Sequence, residues 1–201
     1  MRKFVCAILF CLSQAISAND FSFAPAAGIV ISHPKGYHTQ VGFSIGVKTM
    51  YSLSDKLNHF YLSPGLSLVS RGWKDYIYDI NDHKKEWICH PYYIEMPINI
   101  GYEWNINNLG LLLEAGPYIA LGLFGSSEIG NDSELKISNI FSSNLYKRFD
   151  FGYKLNVGAV LHRWQITIGI SHSLQKPSKD EWQEINPKDF SYHISFSYSI
   201  K

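Results

Sequence analysis

The stretch "SYHISFSYSIK", residues 191–201, decides the fold. Tyr192, Ile194, Phe196, Tyr198 and Ile200 take every even position, with Ser191, His193, Ser195, Ser197 and Ser199 between them. Successive side chains in a strand point to opposite faces, so this segment has one wholly apolar face and one small polar face. A soluble sheet would hide the apolar face in a core. A membrane barrel would turn it to lipid.

Working outward from it, the chain reads as eight alternating strands, at roughly 20–31, 40–51, 59–72, 87–104, 110–124, 147–161, 164–174 and 189–201. No segment has a helical period, so the fold class is all-β. The connections after strands two, four and six are short: "SLSDKLN", "NINNL" and "HR". Three of the others are long: "KDYIYDINDHKKE", "GSSEIGNDSELKISNIFSSNLY" and "QKPSKDEWQEINPK". In a meander this alternation gathers the long connections at one end, the asymmetry of outer-membrane barrels.

Charge by parity separates the two homes for the closing strip, because Lys or Arg facing lipid at mid-membrane costs about 2–4 kcal/mol. One parity carries Phe43, Ile45 and Val47; Phe60, Leu62, Leu66 and Leu68; Ile94, Met96, Ile98, Ile100 and Tyr102; Leu111, Leu113, Ile119, Leu121 and Leu123; Phe149, Phe151, Tyr153, Leu155, Val157 and Leu161; and Ile166, Ile168 and Ile170. It holds no Asp, Glu, Lys or Arg. The other parity carries Lys48, Arg71, Glu95, Glu103, Glu114, Arg148, Asp150 and Lys154 together with most of the glycines, among them Gly101, Gly122 and Gly152. The lumen of an eight-stranded barrel has just enough room for side chains to fill it, so inward glycine and serine make space for a few large charged groups.

The expected architecture is therefore an eight-stranded antiparallel up-and-down transmembrane β-barrel of OmpA/OmpX-like size. Eleven tilted residues would span roughly 25 Å, the height of the apolar band of such barrels. Tyr51, Trp73, Trp87, Tyr102, Trp104, Trp164, Phe190 and Tyr198, near strand ends, suit two interfacial girdles. Pro64, Pro97 and Pro117 each delete a ladder donor and are expected at bulges or at the barrel rim.

The N-terminal "MRKFVCAILFCLSQAISA" reads as a secretory signal peptide over residues 1–18, with Arg2 and Lys3, an apolar stretch and a small-x-small end at Ala18. The barrel domain is then 19–201. Phe10 before Cys11 argues against lipid attachment. Without the signal, Lys+Arg falls from 18 to 16 against 17 Asp+Glu, and Cys89 alone remains of the three cysteines. This composition points to neither a disulfide framework nor nucleic acid. No later apolar run reaches the roughly 18 residues of a membrane helix.

Three segments, "YYIEMPINIGYEW" (92–104), "LLLEAGPYIALGLFG" (111–125) and "KRFDFGYKLNVGAVL" (147–161), resemble the PorT-type outer-membrane β-barrel family of Bacteroidetes-like bacteria. The matching residues are Tyr93, Glu95 and Pro97; Gly116, Pro117 and Tyr118; and Phe149, Asp150, Phe151 and Gly152. The resemblance implies an outer-membrane barrel with both termini in the periplasm and little about activity, although one founding member is tied to protein secretion and gliding. The chain departs from many such barrels in ending Ile200-Lys201 rather than on an aromatic residue.

Six inward charges, Lys48, Arg71, Glu95, Glu114, Asp150 and Lys154, are the candidate lumen network: too crowded for bulk water, they are expected to pair and plug the barrel, or else to exchange partners as a gate. His193-Ile194-Ser195 and His172-Ser173 are the pairs from which a lipid A hydrolase would be built, but His193 and Ser195 face the lumen and no acid follows them. The eight histidines have no zinc or iron spacing. The expectation is thus a non-catalytic barrel without cofactors, with outer-membrane lipid as its surroundings, serving a structural, adhesion or accessory role as a monomer. Long loops are the place for a protein or surface ligand. A narrow pore or small-solute-binding barrel is the alternative, and a soluble lipocalin-like barrel the third.

Overall fold

The computed structural model describes residues 21–34, 36–53, 59–78, 82–130, 135–142, 146–175 and 190–200. The signal peptide proposed for residues 1–18 lies outside them. Strands are β1 (Phe21–Ser32), β2 (Gln40–Ser52), β3 (Phe60–Ser70), β4 (Trp73–Tyr78), β5 (Lys84–Ile106), β6 (Leu109–Ile129), β7 (Leu135–Ile137), β8 (Phe149–Leu161), β9 (Trp164–Ser173) and β10 (Phe190–Tyr198). Eight of them close a ring: β1 pairs with β2 and β10, and the circuit runs on through β3, β5, β6, β8 and β9, antiparallel throughout. Closure leaves the ring itself without an edge.

The closing strip faces outward. Phe196 is 55% exposed, Ile98 42% and Leu121 47%, while Ser191 and Ser197 are buried. Every uncharged strip named from parity is exposed or half-exposed, and many polar residues are buried instead, Ser32, Ser63, Glu95, Glu114, Asp150, Asn156, Thr167 and Ser171 among them. The molecule is inverted relative to a soluble barrel, as a membrane wall requires. Glycine makes the narrow interior possible at two places where an aromatic ring lies against the strand. A Cβ on Gly101 would overlap the Tyr61 ring, and one on Gly122 would overlap the ring of Phe141.

The two ends differ. Tight two-residue turns join β5 to β6 and β8 to β9, with Asn107 and His162 in the left-handed region at φ 56° and 57°, a conformation in which Asn and His are enriched. Phe60, Tyr102 and Trp104 cluster at this short-turn end, as do Trp164 and Tyr198. Toward the other end a second girdle holds Phe43, Tyr92 and Phe124, and Phe190 with Tyr192.

Three expectations are corrected. "KDYIYDINDHKKE" is not simply loop: its aromatic and β-branched residues form most of β4, which pairs with the first six residues of an extended β5, Trp73 opposite Cys89 and Tyr78 opposite Lys84. Likewise β6 continues to Ile129 and gains β7 at its side. Trp73 is no girdle residue; it is 7% exposed and packs with Cys89, Tyr93, Tyr118, Ala120, Ile140 and Phe141, with Tyr37, Trp87 and Tyr146 against them. Pro64, Pro97 and Pro117 do not sit at bulges. Pairing lapses beside each for two residues and resumes in the same register, for example from Pro64 opposite Ile98 to Ser67 opposite Glu95. The Thr49 hydroxyl covers one such lapse by donating to the Pro64 carbonyl at 3.0 Å. The register shift lies elsewhere, between Tyr92 and Tyr93.

Candidate functional site

Arg71 directly follows β3, Glu95 and Glu114 lie mid-strand on β5 and β6, and Asp150 and Lys154 lie four residues apart on β8; alternation turns the four strand residues inward, and Arg71 is buried beside them. Lys48 comes from β2. The structure brings the six together in two groups. Nearer the long-loop end Arg71 bridges two carboxylates, Glu95 through Nη2 and Asp150 through Nη1 at 2.9 Å. Lys154 pairs with the other Glu95 oxygen. That oxygen has no hydrogen bond of regular geometry, so its charge is met by ion contact alone. The Tyr118 hydroxyl donates to Asp150 Oδ2 at 3.1 Å, and the Ser173 hydroxyl to Oδ1. The guanidinium of Arg71 also lies 5.0 Å from the Tyr118 ring and 5.5 Å from that of Tyr93.

One step toward the short turns, Lys48 Nζ meets Glu114 Oε1 at 2.7 Å. Tyr61 donates to the same oxygen at 2.9 Å, and Asn156 Nδ2 to Oε2 at 3.2 Å. Asn156 in turn bonds His193 Nε2 through its Oδ1, 2.7 Å away. Three cations and three carboxylates leave the set formally neutral. A buried ion pair contributes little net stability, yet losing one partner costs about 3–5 kcal/mol because the other charge stays buried.

Beside this network lies a cavity of about 100 Å³, walled on the far side by small residues of β1, β2, β9 and β10, such as Ala26, Ser44, Gly46, Thr167, Ser171 and Ser195. The aromatic cluster packs at the long-loop end above it. Asn139 shapes that packing: its Oδ1 accepts from the Phe141 and Ser142 amides at 3.1 and 3.3 Å, and Ile140 and Phe141 are buried in the cluster. The Ile140 amide donates to the Gly125 carbonyl at 3.0 Å, and Trp73 Nε1 donates to the Tyr146 hydroxyl. Cys89, in the part of β5 beyond the apolar band, is sealed in this cluster, and burial pushes its thiol up to about 12. A thiol so protonated is a poor nucleophile.

The two His-Ser pairs do not assemble a triad. His193 bonds Asn156, while the Ser195 hydroxyl is 2.6 Å from that of Thr167. His172 leans outward on the rings of Tyr153 and Phe190, and Ser173 points inward to Asp150. Among the described residues no group of three His, Cys, Asp or Glu could hold a metal ion. Inward parity was shared by Tyr61, Tyr118, Asn156 and Ser173, but nothing in the sequence picked them out as partners of the charges.

An apolar exterior, a charged lumen and a closed ring define a membrane β-barrel. The chain belongs to the family described as Outer membrane protein beta-barrel domain, which matches residues 12–179, and the outer membrane is its location. Among solved structures it is similar to Neisserial surface protein A (NspA), at 11% identity and a TM-score of 0.50, over 90% of this chain and 98% of that one. It is also similar to Ail, the attachment invasion locus protein of Yersinia pestis, at 11% identity and a TM-score of 0.43 over 90% and 97% of the two chains. A third is the outer membrane enzyme PagL, at 13% identity and a TM-score of 0.44 over 88% and 99%. The first likeness carries the fold and nothing more. No curated protein sequence matches the chain.

Proposed function

We propose that the protein is an exported, monomeric, non-catalytic outer-membrane barrel of the PorT type whose lumen is plugged by its own side chains. Its role is then structural, adhesive or accessory, with contacts to a protein or surface ligand made at the long-loop end. The observation that carries this reading is the pairing of the six mid-lumen charges, Lys48, Arg71, Glu95, Glu114, Asp150 and Lys154, beneath an aromatic cap. A conducting lumen needs water and mobile ions in the space those side chains take. Both ends of the described barrel, Phe21 and Ile200, lie at the short-turn end, where Phe21 pairs with Tyr51 and Ile200 bridges Phe23. Short turns are periplasmic in barrels of this kind, which supports a periplasmic placement of both termini. Purified protein in planar lipid bilayers tests the plug: the reading expects no single-channel steps, and regular ion-conducting steps from the wild type would overturn it in favour of a narrow pore.

A further inference from the structure

The ion pairs of the lumen are used unequally. Every oxygen of Glu95, Glu114 and Asp150 meets a cation, a hydroxyl or an amide. Glu95 and Glu114 are 0% and 2% exposed. The two ammonium groups are the reverse: Lys48 and Lys154 keep 17% and 14% exposure, and each meets one carboxylate oxygen. An ammonium has three N–H donors, so two on each lysine have no acceptor among the described residues. Both lysines line the cavity of about 100 Å³. So does Asn99, which is 5% exposed and whose Oδ1 has no hydrogen-bond partner. Amide oxygen and nitrogen are interchangeable by a half-turn of the side chain, so Asn99 can present its NH₂ to the cavity instead. Ser67, paired with Glu95 across β3 and β5, lines the cavity as well, as do Ser44 and Ser195 on the opposite wall, the Ser195 hydroxyl already sharing a hydrogen bond with Thr167.

Glu95 and Glu114 line the same cavity, but each of their oxygens already meets a partner, so the groups still unused there are donors. We propose that the cavity is a binding site for a small oxyanion, a phosphate or a carboxylate, held between the spare N–H groups of Lys48 and Lys154, with Asn99 and the serine hydroxyls as further donors. Charge-assisted hydrogen bonds from ammonium to an oxyanion are the strong class. The size selects a ligand of a few heavy atoms, since about 30 Å³ is one water's share of the liquid. The formal neutrality of the six charges makes this a site of modest affinity, with the local donors rather than net charge doing the recruiting. The inference deepens the plugged-lumen reading: the plug contains a ligand site.

The test is the thermal unfolding midpoint of the full-length barrel in detergent, titrated with sodium phosphate and, in a parallel arm, sodium acetate, against chloride at constant ionic strength. A ligand that binds only the folded state raises the midpoint as its concentration passes the dissociation constant. The expected result is a saturable rise with phosphate, acetate or both, the arm that saturates at lower concentration naming the anion. In Ser44→Val, which adds methyl groups to the cavity and touches no ion pair, the barrel folds and the rise needs at least tenfold more anion. Absence of any rise in the wild type would overturn the proposal, as would an equal rise in Ser44→Val, which would put the anion on the surface. Failure here with no channel steps leaves the plug standing without a ligand; channel steps with a saturable rise leave a site in a pore.

Discussion

The lumen has two unlike walls. On β5, β6 and β8 the inward positions carry Glu95, Glu114, Asp150, Lys154, Asn156 and Tyr118, tied to one another and to Arg71 and Lys48. On β1, β2, β9 and β10 the same inward parity, Lys48 and His193 apart, carries mostly small residues such as Ala26, Ser44, Gly46, Thr167, Ser171 and Ser195, and the cavity lies against them. Both walls have the same apolar outer face. One alternating pattern thus satisfies the bilayer everywhere, while the choice of inward residue divides the interior into a cross-linked half and an open half. The division teaches that the fold depends on parity, and the interior chemistry on which side chain each parity position holds.

Mutations sort by wall. The largest effect belongs to the loaded side: Glu114→Ala removes the acceptor of Lys48, Tyr61 and Asn156 and leaves a half-buried ammonium without its carboxylate, which should destabilise the barrel by up to about 3 kcal/mol. Heat-modified mobility on gels or calorimetry in detergent reads it, and an unchanged melt would erase the distinction between the walls. Next, Gly122→Val forces its side chain into the Phe141 ring. Overpacking of this kind costs about 1–3 kcal/mol. Because it lifts the cap, it should also speed protease cleavage after Phe141, which limited proteolysis with chymotrypsin measures. Smallest is Ser44→Ala, on the open wall, where no side-chain hydrogen bond among the described residues is lost; its melt should stay within about 0.5 kcal/mol of the wild type. A large loss there would mean that the open wall is packed as tightly as the loaded one.

The strand alternation made the ring legible, because a period of two with all the charge on one phase has few other readings. The six inward charges could be named in the same way, since parity alone turns Glu95, Glu114, Asp150 and Lys154 inward. Which of them pair was not legible. Pairing depends on shear between strands: Lys48 and Glu114 are 66 positions apart and Arg71 and Asp150 79, and sequence carries no register between distant strands. The aromatic cap was missed for another reason. Ile140 and Phe141 sit in a polar run, "ISNIFSSN", that reads as exposed loop; only the Asn139 turn and the absent side chain of Gly122 bring them inside. The extension of β5 was misread because Lys84, Lys85 and Glu86 suggest a solvated loop, whereas charged residues are at home in a hairpin that projects past the lipid band. The prolines misled in the opposite sense. A lapse of two pairs without a change of register leaves no trace in the pattern.

The orientation of the closing strip is the claim from which the rest follows. It is tested most directly by placing a spin label at each position from Tyr192 to Ile200 in turn, in lipid bilayers, and measuring collision with oxygen, which concentrates in hydrocarbon, against a water-soluble nickel chelate. The account predicts a period of two, with oxygen collision highest at Tyr192, Ile194, Phe196 and Tyr198 and low at His193, Ser195 and Ser197. The opposite phase, or no alternation, would contradict it.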